Sequence, residues 1–341
     1  MPHIKIITVP LAQNLYQKLI TLLNWIYIRI FKNNKYVTER YRPINFKKVD
    51  KNFIDKTSDV AFLLRGQIIK TDEFTKNTLM MYRLRYPNAP IYLSTWKYCI
   101  DDKFLSFAKC NNIKVISTKY SKPKSGYKSD NLQIISNVKG LQVIIKDKIK
   151  YTITTRTDQR FYANNIPLYL KNIISLYSYK KTNPKDKQIN RLIGMSFDTF
   201  LYRLYGLGDM FLFGLTEDVY NYWNSSLDSR IISSTSKNKK NTILSLNKVR
   251  VSEVYFMTEF LKRNGHSLKW TLDDYLGILR NRFIIVDSYS FDFLWPKYSF
   301  FEERFKDFED IRYKEISHFD WLLIKNQKIK VNKEILNKFW D

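Results

Sequence analysis

The chain has 341 residues, 44% hydrophobic and 16% aromatic, which suits one large or two smaller folded domains and argues against global disorder. Lys and Arg outnumber Asp and Glu by 58 to 32, giving a formal charge of +26. Such an excess favours polyanions (phosphorylated substrates, anionic membrane or nucleic acid), although part of it follows the Lys, Ile and Asn bias of a low-GC genome. The cysteines, Cys99 and Cys110, form no disulfide framework or metal spacing, and His3, His266 and His318 lie too far apart to suggest a histidine zinc site.

In chain order, residues 1–57 differ from the rest. Leu15, Leu19, Leu22, Leu23, Ile26 and Ile30 recur at helical spacing within 11–31. Lys18, Asn24 and Arg29 interrupt the run, making it a poor transmembrane span, and the marks of a signal peptide are missing. Its apolar face suits either packing on the main domain or, with Trp25 and the basic residues from Lys32 to Lys48, a position in a membrane interface. From Asp59 onward, apolar runs at 60–64, 90–94, 113–117 and 151–155 read as strands. Helical patterns at 73–86, 102–110 and 131–145 alternate with them, which predicts a mostly parallel α/β sheet. The second half predicts helices at 168–179, 216–223 and 252–264, strands at 191–196, 208–214 and 282–286, and a Ser/Lys/Asn loop at 233–242.

The stretch Tyr151-Thr-Ile-Thr-Thr-Arg-Thr-Asp-Gln-Arg160 is the focus of the sequence. Its first half is β-branched and aromatic; its second half alternates Arg156, Asp158 and Arg160. A buried strand ending in such charges would deliver them to the carboxyl edge of the sheet, where open α/β sheets bind ligands. A surface strand end with a charge cluster is the plainer alternative.

Ala61-Phe-Leu-Leu-Arg-Gly-Gln-Ile68, Phe74-Thr-Lys-Asn-Thr78, Ser94-Thr-Trp-Lys97, Asn131-Leu-Gln133, Arg156-Thr-Asp-Gln-Arg160, Asp209-Met-Phe-Leu-Phe-Gly214 and Asp292-Phe-Leu-Trp-Pro-Lys-Tyr298 occur in this order. Together they resemble the WavE lipopolysaccharide synthesis family over about residues 59–305. The resemblance implies a glycosyltransferase-A-like fold, a single catalytic domain taken over 58–341; residues 1–57 lie outside the match and read as a basic helical extension. It implies a glycosyltransferase that moves a sugar from a nucleotide-sugar donor to a lipid-linked or phosphorylated oligosaccharide acceptor. Such an enzyme would be cytoplasmic and peripheral on the anionic inner face of the membrane. The alternative is a sugar-phosphate transferase or nucleotidyltransferase. No helix-turn-helix, zinc-finger or similar motif is found, so a nucleic-acid partner is not expected.

Glycosyltransferase-A enzymes carry an Asp-x-Asp pair where this chain has Arg156-Thr157-Asp158. Two readings follow: Asp158 ligates Mg²⁺ or Mn²⁺, or Arg156 and Arg160 hold the diphosphate directly. Arg65 and Gly66 would receive the nucleotide, with a simple turn glycine as the alternative. Thr95 and Trp96 end the second strand, Trp96 stacking on a base or packing in the core. Asn131 and Gln133 would read base or ribose, with a helix N-cap as the alternative for Asn131. Asp209 is the candidate general base, and Lys297 and Arg304 are candidates for a diphosphate clamp.

Overall fold

Val60–Arg65 (β1) is buried along its whole length, because its Val-Ala-Phe-Leu-Leu run offers apolar side chains to both faces. The computed structural model describes residues 18–19, 22–23, 25–26, 42–44, 51–121, 125–127, 129–181, 183–231, 241–298 and 311–339. The chain divides into two compact units, Met1–Pro43 and Ile44–Asp341. In the first unit, Leu19, Leu22, Leu23 and Trp25 are helical and about half exposed. Most of the expected 11–31 helix, most of the 233–242 loop and Arg304 lie outside the described residues. No helix among the described residues is long and apolar enough to cross a membrane.

After β1 come Phe74–Arg85 (α1), Ile91–Trp96 (β2), Asp102–Cys110 (α2), Ile113–Thr118 (β3), Asp130–Lys146 (α3) and Tyr151–Arg156 (β4). Then follow Arg160–Phe161 (β5), Ile166–Leu176 (α4), Leu192–Met195 (β6), Leu212–Leu215 (β7) and Thr216–Trp223 (α5). Ile243–Val249 (α6), Ser252–Arg263 (α7), Leu272–Arg282 (α8), Phe283–Val286 (β8), Phe293–Leu294 (β9) and His318–Lys325 (α9) complete the unit. The protein is thus mixed α/β. Its seven-stranded sheet has the order β3-β2-β1-β4-β7-β6-β8, and β7 alone runs antiparallel to its neighbours. From β1 the chain steps to β2 and β3 on one side and later returns to β4 on the other. The boundary between β1 and β4 is therefore a topological switch point.

Helix α3 lies close against this centre. A Cβ on Gly140 would come within 2.5 Å of Leu63 Cδ1, so a larger residue there would push the helix off β1. The first-half strands fall within a residue or two of expectation, but the second half departs in three places. Strand β7 starts only at Leu212, because a Cβ on Gly208 would lie 2.3 Å from the Phe197 carbonyl and the chain turns there. Helix α4 occupies 166–176, not 168–179, and has Pro167 in its first turn. Helices α6, α8 and α9 and the small β5–β9 sheet were not anticipated. The last two helices do carry signals: the Thr271 side chain accepts from the Asp274 amide, and Ser317 with Asp320 forms a capping box.

Candidate active site at the switch point

Strand β1 ends in Arg65 and β4 in Arg156, and the two are partners across the parallel ladder. Gly66 follows at φ 118°, a conformation that a side chain would strain; its amide donates to the Ser94 carbonyl at 3.0 Å. A Cβ at Gly66 would stand 3.1 Å from Thr157 Oγ1, so the two strand exits are pressed together. Thr157 fastens them, its amide donating to the Arg65 carbonyl at 3.1 Å and its hydroxyl to the Gln67 carbonyl at 2.6 Å.

Arg65 is only 3% exposed. It donates from Nη1 to Gln133 Oε1 at 2.8 Å and from Nη2 to the Asp209 carbonyl, and it lies 4.6 Å over the Trp223 ring. Gln133 Nε2 in turn donates to Asp209 Oδ2 at 2.6 Å. One polar chain thus joins β1, α3 and the turn before β7. Burial lowers the Arg65 guanidinium to about 10, Asp209 opposing the shift and Arg156 adding to it.

Beside this chain, Arg156 grips Asp158 with a two-pronged fork, Nε to Oδ1 and Nη2 to Oδ2, each at 2.8 Å. Trp295 Nε1 donates to the same Oδ2 at 3.0 Å, and Arg156 lies 5.0 Å over the Trp295 ring. Burial pushes the Asp158 carboxyl up, but the Arg156 fork and the indole outweigh it and hold the group below the usual range. This donor set does not fit the expected Mg²⁺ or Mn²⁺. Both Asp158 oxygens are engaged by cationic or N–H donors, and no cluster of three His, Cys, Asp or Glu among the described residues is placed to hold a metal.

The remaining predicted residues divide. Thr95 is buried at the end of β2, and its hydroxyl has no partner among the described residues. Trp96 is buried and meets Tyr120 edge-on at 5.7 Å, a packing role. Asn131 is engaged within the protein: its Nδ2 donates to the Ser125 and Asp228 carbonyls and its Oδ1 accepts from the Asp228 amide, tying two loops together. Arg160 departs furthest from its expected role. It is 1% exposed and bonds Thr78 Oγ1, the Phe74 and Ile44 carbonyls and the Tyr162 hydroxyl, so it anchors backbone instead of phosphate. Lys297 is exposed, 5.7 Å from the Trp295 ring centre.

Sequence reasoning missed a group of acids beside Asp209. Asp130 is fully buried; burial, then Asp209 and Asp228, push it up to about 7 despite a 2.6 Å hydrogen bond from Ser252 Oγ. Glu253 is pushed well above its ordinary value by burial, Asp198 and Asp209, with Arg203 opposing. Both acids open helices, where a macrodipole role is the ordinary reading, so little in their local sequence sets them apart. Surface clefts of about 320 and 340 Å³ open elsewhere, beside Tyr169 and Tyr220, and neither takes in Arg65, Asp158 or Asp209.

Fold and edge together define a mixed α/β protein with a mostly parallel sheet and a polar cluster at its switch point. No protein-family model matches the sequence, and no curated protein matches it. Among solved structures, the chain is similar to a cytidylyltransferase from Leptospira borgpetersenii serovar Hardjo-bovis, at 13% identity and TM-score 0.28, over 49% of this chain and 64% of that one. It is also similar to a mannose-1-phosphate geranyltransferase from Thermus thermophilus, at 7% identity and TM-score 0.24, over 40% of this chain and 41% of that one. The chain spans less than two thirds of either protein.

Proposed function

We propose that the protein is a nucleotide-sugar-dependent glycosyltransferase of surface-glycan assembly, as its motif resemblance to the WavE family implies, with a catalytic domain over 58–341. The observation that carries the reading is the pairing of Arg65 with Arg156 at the switch point, with Asp209 tied to Arg65 through Gln133. Cleavage of the anomeric C–O bond leaves negative charge on the departing nucleoside diphosphate, and the two guanidinium groups are the donors that stabilise it. Asp158 and Trp295 hold Arg156 in orientation before the diphosphate arrives. Asp209, steadied by Gln133, takes the proton of the acceptor hydroxyl as its oxygen bonds to the anomeric carbon. No step is assigned to a metal. The acceptor is a lipid-linked or phosphorylated oligosaccharide, reached from the cytoplasmic face by a peripheral protein whose +26 charge favours anionic lipid.

The second reading, nucleotidyl or sugar-phosphate transfer, uses the same arginines. Thermal shifts with UDP, GDP, CMP and CDP test the nucleotide site: stabilisation in the wild type, lost in Arg65→Ala, is expected, and no response to any of the four overturns it. Released nucleoside diphosphate supports glycosyl transfer; released monophosphate or pyrophosphate supports the second reading.

A further inference from the structure

The cleft of about 320 Å³ beside Tyr169 has no part in the transferase reading above. Asn164, Asn165, Asn172, Ser290 and Tyr169 supply its polar groups, and Ile166 and Leu168 its apolar ones. None of these side chains is charged, in a chain with 58 Lys and Arg and 32 Asp and Glu. The 340 Å³ cleft, by contrast, carries Lys187, Glu217 and Arg263. Among the described residues, no hydrogen bond engages the side-chain amides of Asn164, Asn165 or Asn172, and all three residues are exposed. Each amide therefore offers the cleft one carbonyl acceptor and two N–H donors. Tyr169 is half-buried, its ring held edge-on to Phe291 at 6.1 Å. Burial raises its phenol, with a hydrogen bond to Ser290 opposing, so the hydroxyl keeps its proton and can donate.

The backbone ties this cleft to the candidate active site. The β5–β9 pairing continues past its strands: the Tyr162 amide donates to the Asp292 carbonyl at 3.1 Å, and the Ala163 amide to the Phe291 carbonyl at 3.0 Å. At one end of this ribbon Trp295 donates to Asp158. At the other end the two chains run directly into Asn164 and Ser290, on the cleft wall. Asn164 stands six positions after Asp158, at most about 20 Å of extended chain.

We propose that this cleft binds a neutral sugar unit of the acceptor glycan, away from the reacting hydroxyl; the acceptor role, though not the sugar chemistry, rests on the transferase reading above. The lining decides the ligand class. A phosphate or carboxylate finds no cation there, and an ammonium finds no carboxylate. A purely apolar ligand would cover the three amides and leave them unpaired. Sugar hydroxyls both donate and accept, as each amide does. The C–H face of a pyranose suits the Tyr169 ring and Leu168, which is 50% exposed. The ribbon then places one unit of an oligosaccharide in the cleft while another lies near the Asp158–Trp295 pair.

Saturation-transfer NMR on the full chain tests the assignment, with the methyl α-pyranosides of glucose, galactose and mannose, and uridine, as probes. Saturation should pass to at least one glycoside, equally at low and high salt, because no charge is involved. It should fall about fivefold or more in the double variant Asn164→Ala, Asn172→Leu, which removes two of the amides. Both positions are exposed, so Tm and the nucleotide thermal shift should persist in that variant. No transfer to any glycoside, transfer lost at high salt, or full transfer in the variant overturns the proposal. So does transfer to uridine alone that the variant abolishes, which marks the cleft as a base site. Glycoside binding that the variant abolishes, without any nucleotide shift in the wild type, upholds the sugar cleft and removes the nucleotide-donor reading instead.

Discussion

Arg65 and Arg282 are both buried arginines at sheet edges, 3% and 1% exposed, yet their surroundings are built on opposite rules. Arg282, where the chain enters β8, meets the Tyr179 hydroxyl at 2.8 Å, Gln188 Oε1 at 2.9 Å and both Asp186 oxygens at 3.0 Å. Gln188 Nε2 completes the knot by donating to the Arg282 carbonyl at 3.0 Å. Arg65, at a strand exit, has no partner for its Nε among the described residues. A closed polar network holds a fold together, and burial alone does not distinguish it from the more open bonding of Arg65.

The largest test of that contrast is Arg282→Ala. It strands Asp186 in the interior and should cost about 3–5 kcal/mol in urea unfolding, with the nucleotide response intact wherever the protein remains folded. Arg65→Ala should behave in the reverse way: transfer falls about 100-fold or more, as when a preorganised donor is lost, while stability changes much less than in Arg282→Ala.

Asp130 sharpens the comparison through pH. Its folded value of about 7 lies above the ordinary 3.8, so the protonated form is favoured in the fold and stability is lost as pH rises through 7. Between pH 5 and 8 this group alone removes about 2–3 kcal/mol, and Asp130→Asn should flatten that part of a Tm-versus-pH profile. An unchanged profile in the variant would show that Asp130 is not the titrating group. Gly66→Ala is the smallest effect: a side chain at φ 118°, 3.1 Å from Thr157 Oγ1, should lower stability by about 1–3 kcal/mol and loosen the Arg65–Arg156 pairing.

The sequence made the first half of the fold legible because buried parallel strands read as short apolar runs between helical periods, as in 60–65 and 91–96. In the second half, local steric facts decided the outcome. The 208–214 run is apolar enough for a strand, yet residues 209–210 form a turn beside Gly208, which packs so close to the Phe197 carbonyl that a Cβ would not fit. Arg65, Gln133 and Asp209 were each visible as candidates, but nothing local shows that residues 68 and 76 positions apart form one chain. Arg156 and Arg160 look equivalent in sequence and diverge in space, because the short β5–β9 pairing draws Arg160 under Phe74 and Ile44. The acids Asp130 and Glu253 resemble ordinary helix-start residues, and only their burial sets them apart.

The reversed direction of β7 has an evolutionary corollary. β6 leaves the sheet and β7 re-enters it at one and the same rim, so the segment between Met195 and Leu212 folds back over that rim, with Leu201, Leu204, Tyr205, Leu207 and Phe211 buried in the core. The register of the two strands, Ile193 with Phe213 and Gly194 with Leu212, fixes where this span begins and ends. Evolution can therefore vary it mainly at its partly exposed positions, such as Asp198 and Arg203, and related chains should keep its buried residues apolar.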